Sequence, residues 1–253
     1  NINFEETTLY LGPLEYGEIS NLGVGIEEKI LGWQWLSSVS WLVYSIMIFM
    51  YGLIPNYGIV VVLFAILIKT VTYPLMAKQL RSSKKMQEIN PLLNNIKNKY
   101  KNNPTVQQQK IAALFQEHKI NPLAGCLPML IQMPVLMSVF MVFRNTIEFR
   151  GESFVFWIND LSAADTLFFV GEIPFNVLPF LMSASMYYTM QAGMANQPSG
   201  GDPAQEATQK MMKYMFPGMM FFLFYSFPSG LNLYYLCFNV MQIAQQKIIN
   251  KEA

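Results

Sequence analysis

The sequence predicts an all-α polytopic membrane protein: a five-helix transmembrane core with a cytoplasmic helical hairpin and an interfacial helix. Three observations lead there. Of 253 residues, 53% are hydrophobic and only 13% charged, where soluble domains are about a quarter charged. Several apolar runs approach the roughly 20 residues that span a bilayer as helix. The basic residues cluster in one long polar segment, and Lys/Arg placement sets membrane topology. Net charge is +1, which by itself says little. The two cysteines, Cys126 and Cys237, each lie in an apolar run without CxxC spacing, so neither zinc nor a disulfide framework is supported. No signal peptide is evident after Asn1, and the chain reads as a piece of something longer.

Residues 1–28 hold six acids and no Lys or Arg. Within them TLYLGPLEYG predicts a strand running into a turn, because β-formers give way to Gly and Pro. An apolar helix follows over 31–54. Trp33, Trp35 and Trp41 lie at its start, as expected where a helix meets headgroups. Gln34, Ser37, Ser38 and Ser45 share one face, which favours a helix lying in the interface over one that spans.

Pro55-Asn56 breaks this helix, and five spans are then expected, over 57–78, 121–147, 168–191, 209–227 and 229–249. Asn121 and Pro122 supply a cap and first helical residue for the second, and Pro128 and Pro134 are expected to kink it. The fourth span is short, and FPSG joins it tightly to the fifth, implying a locally thinned bilayer or snorkelling ends.

Nine Lys or Arg residues from Lys78 to Lys119, against Glu88 and Glu117, place that segment in the cytoplasm. The segment around 148–167 has Arg150 against four acids and should face out. Residues 192–208 and the C-terminus then face in, and residues 1–28 out, which calls for a span or signal upstream. Met86, Ile89, Leu93, Ile96 and Tyr100 recur at helical spacing, and Ile111, Leu114 and Phe115 do so after KNNP. This is a basic helical hairpin over 79–120, its first arm kinked or restarted at Pro91, with Lys84, Lys85, Lys97 and Lys99 as contact residues. A solvated loop that only orients the protein is the plainer alternative.

Lys69 stands inside an apolar run, about 16 Å along its helix from Gly58. An intramembrane charge is usually functional or snorkelling. The functional reading needs surroundings that are polar and wet. Asn232, Tyr235, Asn239, Gln242 and Gln246 recur at steps of three and four on the last span, forming one stripe; Gln132, Ser183 and Ser185 add polar groups from other spans. Each alone reads as interhelical glue; stripe and lysine together predict a hydrated cavity. There are 18 methionines. Met129, Met133, Met137 and Met141, and Met182, Met186, Met190 and Met194, are spaced by four. Thioether chains suit a surface that fits many apolar partners, or simply fill gaps. His118 is the only histidine, the spans carry no carboxylate pair, and no phosphate-binding Gly loop occurs. No enzyme chemistry, cofactor or metal is expected.

Four segments carry a family resemblance: IKTVTYPL (68–75), NPLAGCLPMLIQMP (121–134), FWINDLSAAD (156–165) and FPSGLNLYYLCFNVMQIAQQ (227–246). Spread in order over nearly the whole chain from Trp33, they are together highly specific, and by them the sequence resembles the YidC-type membrane protein insertases of the Gram-negative kind. The resemblance implies that residues 1–30 end a periplasmic domain and its linker, and that 31–253 form an inner-membrane insertase core. It implies a groove open to cytoplasm and lipid, charged by a basic residue that is usually arginine in the family and is Lys69 here. Arginine forks two hydrogen bonds; lysine is a point charge that titrates on burial. Gln132 is carried onto the groove wall. Implied partners are nascent membrane proteins, the ribosome, the Sec translocase and the lipid bilayer, with no direct nucleic-acid specificity. The groove residues are then Lys69, Gln132, Asn232, Tyr235, Asn239 and Gln242, and the apolar slide for clients is Met129, Met133, Met137, Met182 and Met186. A secondary transporter or ion channel with Lys69 as an anion site is the rival reading, although no internal repeat supports it.

Overall fold

A computed structural model describes residues 34–118, 127–194, 207–208 and 210–252. The strand expected within 1–28, the Asn121 cap and Cys126 lie outside these residues. The described chain is mostly helical. Helix α1 is Gln34–Leu53. The break at Pro55 follows, and Asn56 caps α2 (Tyr57–Lys99) by accepting from the Ile59 amide at 3.0 Å, which satisfies one of the orphan donors of a helix start. Residues 36–53 and 57–78 are each long and apolar enough to cross a membrane.

Helix α2 is one element of 43 residues. The hairpin's first arm is therefore a direct continuation of the helix that carries Lys69, with no restart at Pro91. Pro74 and Pro91 both lie inside it. A proline removes one backbone bond and crowds the preceding turn. Around Pro91 the helix is held by packing: Ile89 and Leu93 bury against Leu114 of α3 (Pro104–Glu117). Asn103 caps α3 with Pro104 at its first position, the asymmetry expected of a helix start. Gln107 Nε2 donates to the Lys97 carbonyl at 2.9 Å and ties the turn to both arms.

Helix α4 (Leu127–Asn145) ends with Thr146 Oγ1 donating back to the Val142 carbonyl at 2.6 Å. A single 3-10 turn, Ile147–Phe149, follows. Residues 150–165 then fold back over the bundle end. Phe154 N donates to Ile158 O at 2.9 Å and Leu161 N to Glu152 O at 3.0 Å, and Phe156 takes the left-handed φ of 60° at the reversal.

The expected span over 168–191 is corrected at its start. Thr166–Val170 (β1) and Ile173–Asn176 (β2) form an antiparallel hairpin, Phe168 opposite Phe175 and Val170 opposite Ile173. The physical reason is local. Gly171 adopts φ +65° at the tip, a conformation glycine takes without cost, and the flanking aromatic and β-branched residues favour a pleated surface. Hydropathy alone does not separate such a run from a helix. Helix α5 is Leu178–Met194. A π-turn at Met211–Met215 runs into α6 (Phe216–Phe224), and α7 is Ser229–Glu252.

Helix α7 is central, packed between α2 and α5, while α1 lies along α4 and also touches α2. The core collects Val60, Val61, Phe64 and Ala65 of α2, Val139, Val142 and Phe143 of α4, Met182 of α5, and Leu231, Leu233 and Tyr234 of α7. Two glycines set the closest approaches. A Cβ at Gly230 would lie 2.5 Å from the Phe143 ring, and one at Gly58 would fall inside the Phe154 side chain.

Candidate functional site

Lys69 projects from α2 toward α7 and has no solvent-accessible surface. Its ammonium donates to Gln242 Oε1 and lies 3.4 Å from the centroid of the Phe238 ring, a cation–π contact that gains strength away from water. Gln242 Nε2 contacts Met76 Sδ at 3.5 Å, and Gln245 Nε2 donates to the Lys69 carbonyl at 3.2 Å. Among the described residues no carboxylate pairs with Lys69. A buried ammonium is costly unless hydrogen-bonded, and here only neutral dipoles and a ring face serve it.

The polar partner of the Lys69 ammonium is the carboxamide of Gln242, and that of its backbone carbonyl is Gln245. The reason is helix pairing. Lys69 sits where α2 meets α7, and the two glutamines approach its side chain and its backbone from the facing helix. Gln242 was expected at the site; Gln245 and Phe238 were missed. The spacing held a signal for Gln245, which follows Gln242 by three and so shares its face. Phe238 carried none, because an aromatic in a span is ordinarily read as core.

The other stripe residues divide by task. Asn232 Nδ2 donates to the Phe224 and Phe227 carbonyls at 3.1 and 3.4 Å, which fastens the α6–α7 turn. Asn239 Nδ2 donates to Ser185 Oγ at 3.2 Å and joins α7 to α5. Both do the work of interhelical glue. Tyr235 is buried between Phe224 and Phe238, with ring centroids 5.3 and 6.2 Å away. Gln132 of α4 is half-buried and stands beside the hydroxyls of Tyr234 and Tyr235. Its Nε2 and both hydroxyls are buried without a well-formed hydrogen bond, as are oxygens of Gln245 and Gln246. Such groups are uncommon in a settled interior. They mark the α2–α4–α7 interior as polar beyond what packing needs.

The methionines do not form one surface. Met133 is 45% exposed, whereas Met182 is 1% exposed and belongs to the core, so Met182 is corrected from client contact to core filling. It is buried among core residues of α2, α4 and α7, where an unbranched thioether fills gaps. Met137 and Met186 are half-buried, and the side chain of Met129 lies outside the described residues. In the hairpin, Lys85 and Lys99 are exposed and Lys97 half-buried; Lys99 lies 5.8 Å from the Tyr100 ring centroid. The Lys84 side chain lies outside the described residues.

At the far end of the bundle the 150–165 loop is fixed by side chains. Asp165 Oδ2 accepts from Trp157 Nε1 at 3.0 Å and from the Val177 and Leu178 amides at 2.9 and 2.6 Å, capping α5. Ser229 N and Gly230 N donate to the Ala163 and Leu161 carbonyls at 2.6 and 2.9 Å. The start of α7 is thereby tied to this loop.

Comparison with known proteins agrees with this arrangement. The family model described as 60Kd inner membrane protein matches residues 49–253. Proteins called membrane protein insertase YidC are similar throughout: that of Pelodictyon phaeoclathratiforme is 39% identical over 98% of this chain and 42% of its own length, and that of Chloroherpeton thalassium 39% identical over 96% of this chain and 42% of its own. The chain thus spans about two fifths of the length of these relatives. A crystal structure described as an active YidC insertase with the first transmembrane domain resolved matches with a TM-score of 0.59 and 29% identity, over 90% of this chain and 50% of that one. The chain belongs to the 60Kd inner membrane protein family, the family of the YidC membrane insertases.

Proposed function

We propose that this chain is the membrane core of a protein insertase and chaperone, and that Lys69 meets hydrophilic, often acidic segments of nascent inner-membrane proteins. The observation that carries the reading is a buried lysine whose ammonium is held by one neutral carboxamide, that of Gln242, and a ring face. A glutamine holds an ammonium less strongly than a carboxylate does, so an incoming carboxylate can replace Gln242 as its partner. A charge partway across the bilayer is then met by an opposite charge in a medium less polar than water. The polar groups around Gln132, Tyr234 and Tyr235 take up part of the segment's lost hydration. Its apolar part passes into lipid along the exposed methionines, and burial of that surface supplies the drive at about 25 cal/mol per Å².

In this reading 57–78, 121–147, the helix from Leu178, 209–227 and 229–249 mark the membrane-crossing regions, with 31–54 at the interface. The basic hairpin 79–120 and the C-terminus face the cytoplasm. Lys84, Lys85, Lys97 and Lys99 receive the incoming chain near the ribosome, and the Sec translocase is an accompanying partner for some clients. No nucleotide chemistry is involved.

The test is insertion of acidic-tailed clients into vesicles by the whole protein. Lys69→Ala and Lys69→Glu are expected to reduce it by about tenfold, the scale of one charge-assisted hydrogen bond, while Lys69→Arg retains it. Wild-type insertion by Lys69→Glu would overturn the electrostatic part. Because Lys69 is enclosed at rest, a Lys69→Cys variant is expected to react slowly with an impermeant maleimide and faster with a client arrested in transit.

A further inference from the structure

The β-hairpin 166–176 leaves large apolar side chains on both of its faces without a partner among the described residues. Phe169, Val170 and Ile173 are 68%, 62% and 66% exposed. The hairpin is not a loose loop. Asn176 Nδ2 donates to the Tyr225 carbonyl at 2.7 Å, the Tyr225 hydroxyl donates to the Pro174 carbonyl, and Thr166 Oγ1 donates to Asn176 Oδ1 at 2.8 Å. A stack of rings continues from it down the helices. Phe168 lies 4.8 Å from Phe175, Phe175 5.3 Å from Phe180 of α5, and Phe180 4.6 Å from Phe221 of α6, centroid to centroid. Through this stack the hairpin joins α5 and α6, on which Phe180 and Phe222 are 45% and 79% exposed.

Two constraints fix what covers it. A two-stranded hairpin has unpaired backbone edges, and such edges are not found facing lipid within the hydrocarbon layer. The tip therefore does not lie among the acyl chains. The hairpin stands directly on the start of α5 (Leu178–Met194), a helix of a membrane bundle, and so stands at the boundary, where water and headgroups satisfy its edges and aromatic side chains are favoured. Glu172, exposed at the tip beside Gly171, points the same way: a charge at the turn is tolerated in headgroups and not below them.

We propose that the hairpin 166–176 is an interfacial membrane anchor: Phe169, Val170 and Ile173 lie in the headgroup layer of the bilayer and set the depth of α5 and α6. This does not depend on Lys69 or on insertase activity.

The test uses the full-length protein, with Cys126→Ser and Cys237→Ser, in phosphatidylethanolamine–phosphatidylglycerol vesicles. Val170→Cys or Ile173→Cys carries an environment-sensitive NBD label, and Gln109→Cys on the exposed face of α3 serves as the water reference. The expected result is emission shifted to the blue of the Gln109 reference, with quenching by nitroxide lipids stronger for a shallow nitroxide than for one deep in the acyl chain. Emission equal to the water reference, without lipid quenching, would overturn the proposal. Deeper quenching than shallow would overturn it in favour of hydrocarbon burial. A blue shift that no lipid quenches would overturn it in favour of cover by protein, whether another part of the chain or a partner. Because all of these are spectroscopic, a loss of insertion in Lys69 variants leaves them unaffected.

Discussion

Asp165 shows how one buried side chain fixes several backbones. Its Oδ2 serves an indole and two amides of the α5 start, and it is 3% exposed. Asp165→Ala strips an N-cap and leaves these donors unpaired in a buried place, a loss of roughly 2–4 kcal/mol. A clear fall in apparent Tm in detergent is expected, with Asp165→Asn falling less because one acceptor remains. The glycines make a steric counterpart. Gly58→Ala drives a methyl into Phe154, an overpacking cost of about 1–3 kcal/mol. Combining it with Phe154→Ala is expected to cost less than the sum of the two changes, measured as a double-mutant cycle on unfolding. Gly230→Ala meets Phe143, which is fully buried, and has less room to relax.

Among the elements, α2 and α7 form the pair that matters for function. Gln242 and Gln245 clasp Lys69 by its side chain and its backbone at once, a few residues before Pro74 interrupts the α2 hydrogen-bond ladder. A client must open this clasp, so its strength should set activity. Gln242→Glu supplies a permanent carboxylate to Lys69. It is expected to leave the fold intact and to lower insertion of acidic clients by about tenfold, the advantage of a charged acceptor over a neutral one. Insertion at the wild-type rate would show that clients do not compete for Lys69. Clients without acids in the translocated segment are expected to be affected much less.

Across the whole molecule, charge decides the orientation that the fold leaves open. The basic hairpin of α2 and α3 lies at one end of the long helix α2, and the 150–165 loop with its acids packs at the other, against Gly58 and the start of α7. The positive-inside rule then predicts one outcome for two labels. Gln109→Cys is expected to react with an impermeant maleimide only from the cytoplasmic side, and Glu172→Cys only from the opposite side. Reaction of both from one side would overturn the orientation.

The sequence by itself determined the helical membrane class, the family, the hairpin's apolar seam at Ile89, Leu93 and Leu114, and Lys69 as the residue to watch, because periodicity and a misplaced charge are one-dimensional signals. It also singled out Gln242. What it did not contain is how long-range neighbours use their groups. Only the tertiary structure decided that Asn232 and Asn239 spend their amides on a turn carbonyl and a serine, that Met182 is core, and that Phe238 and Gln245 enclose Lys69. These depend on which faces of α2, α5 and α7 meet, and helical spacing names the face but not its partner. The β-hairpin before α5 was hidden for a different reason. The short apolar runs Leu167–Val170 and Ile173–Phe175 satisfy a strand pair and a helix start equally well in hydropathy, and the choice falls to a glycine turn and to Tyr225, which fastens the hairpin from α6's end through Asn176 and Pro174.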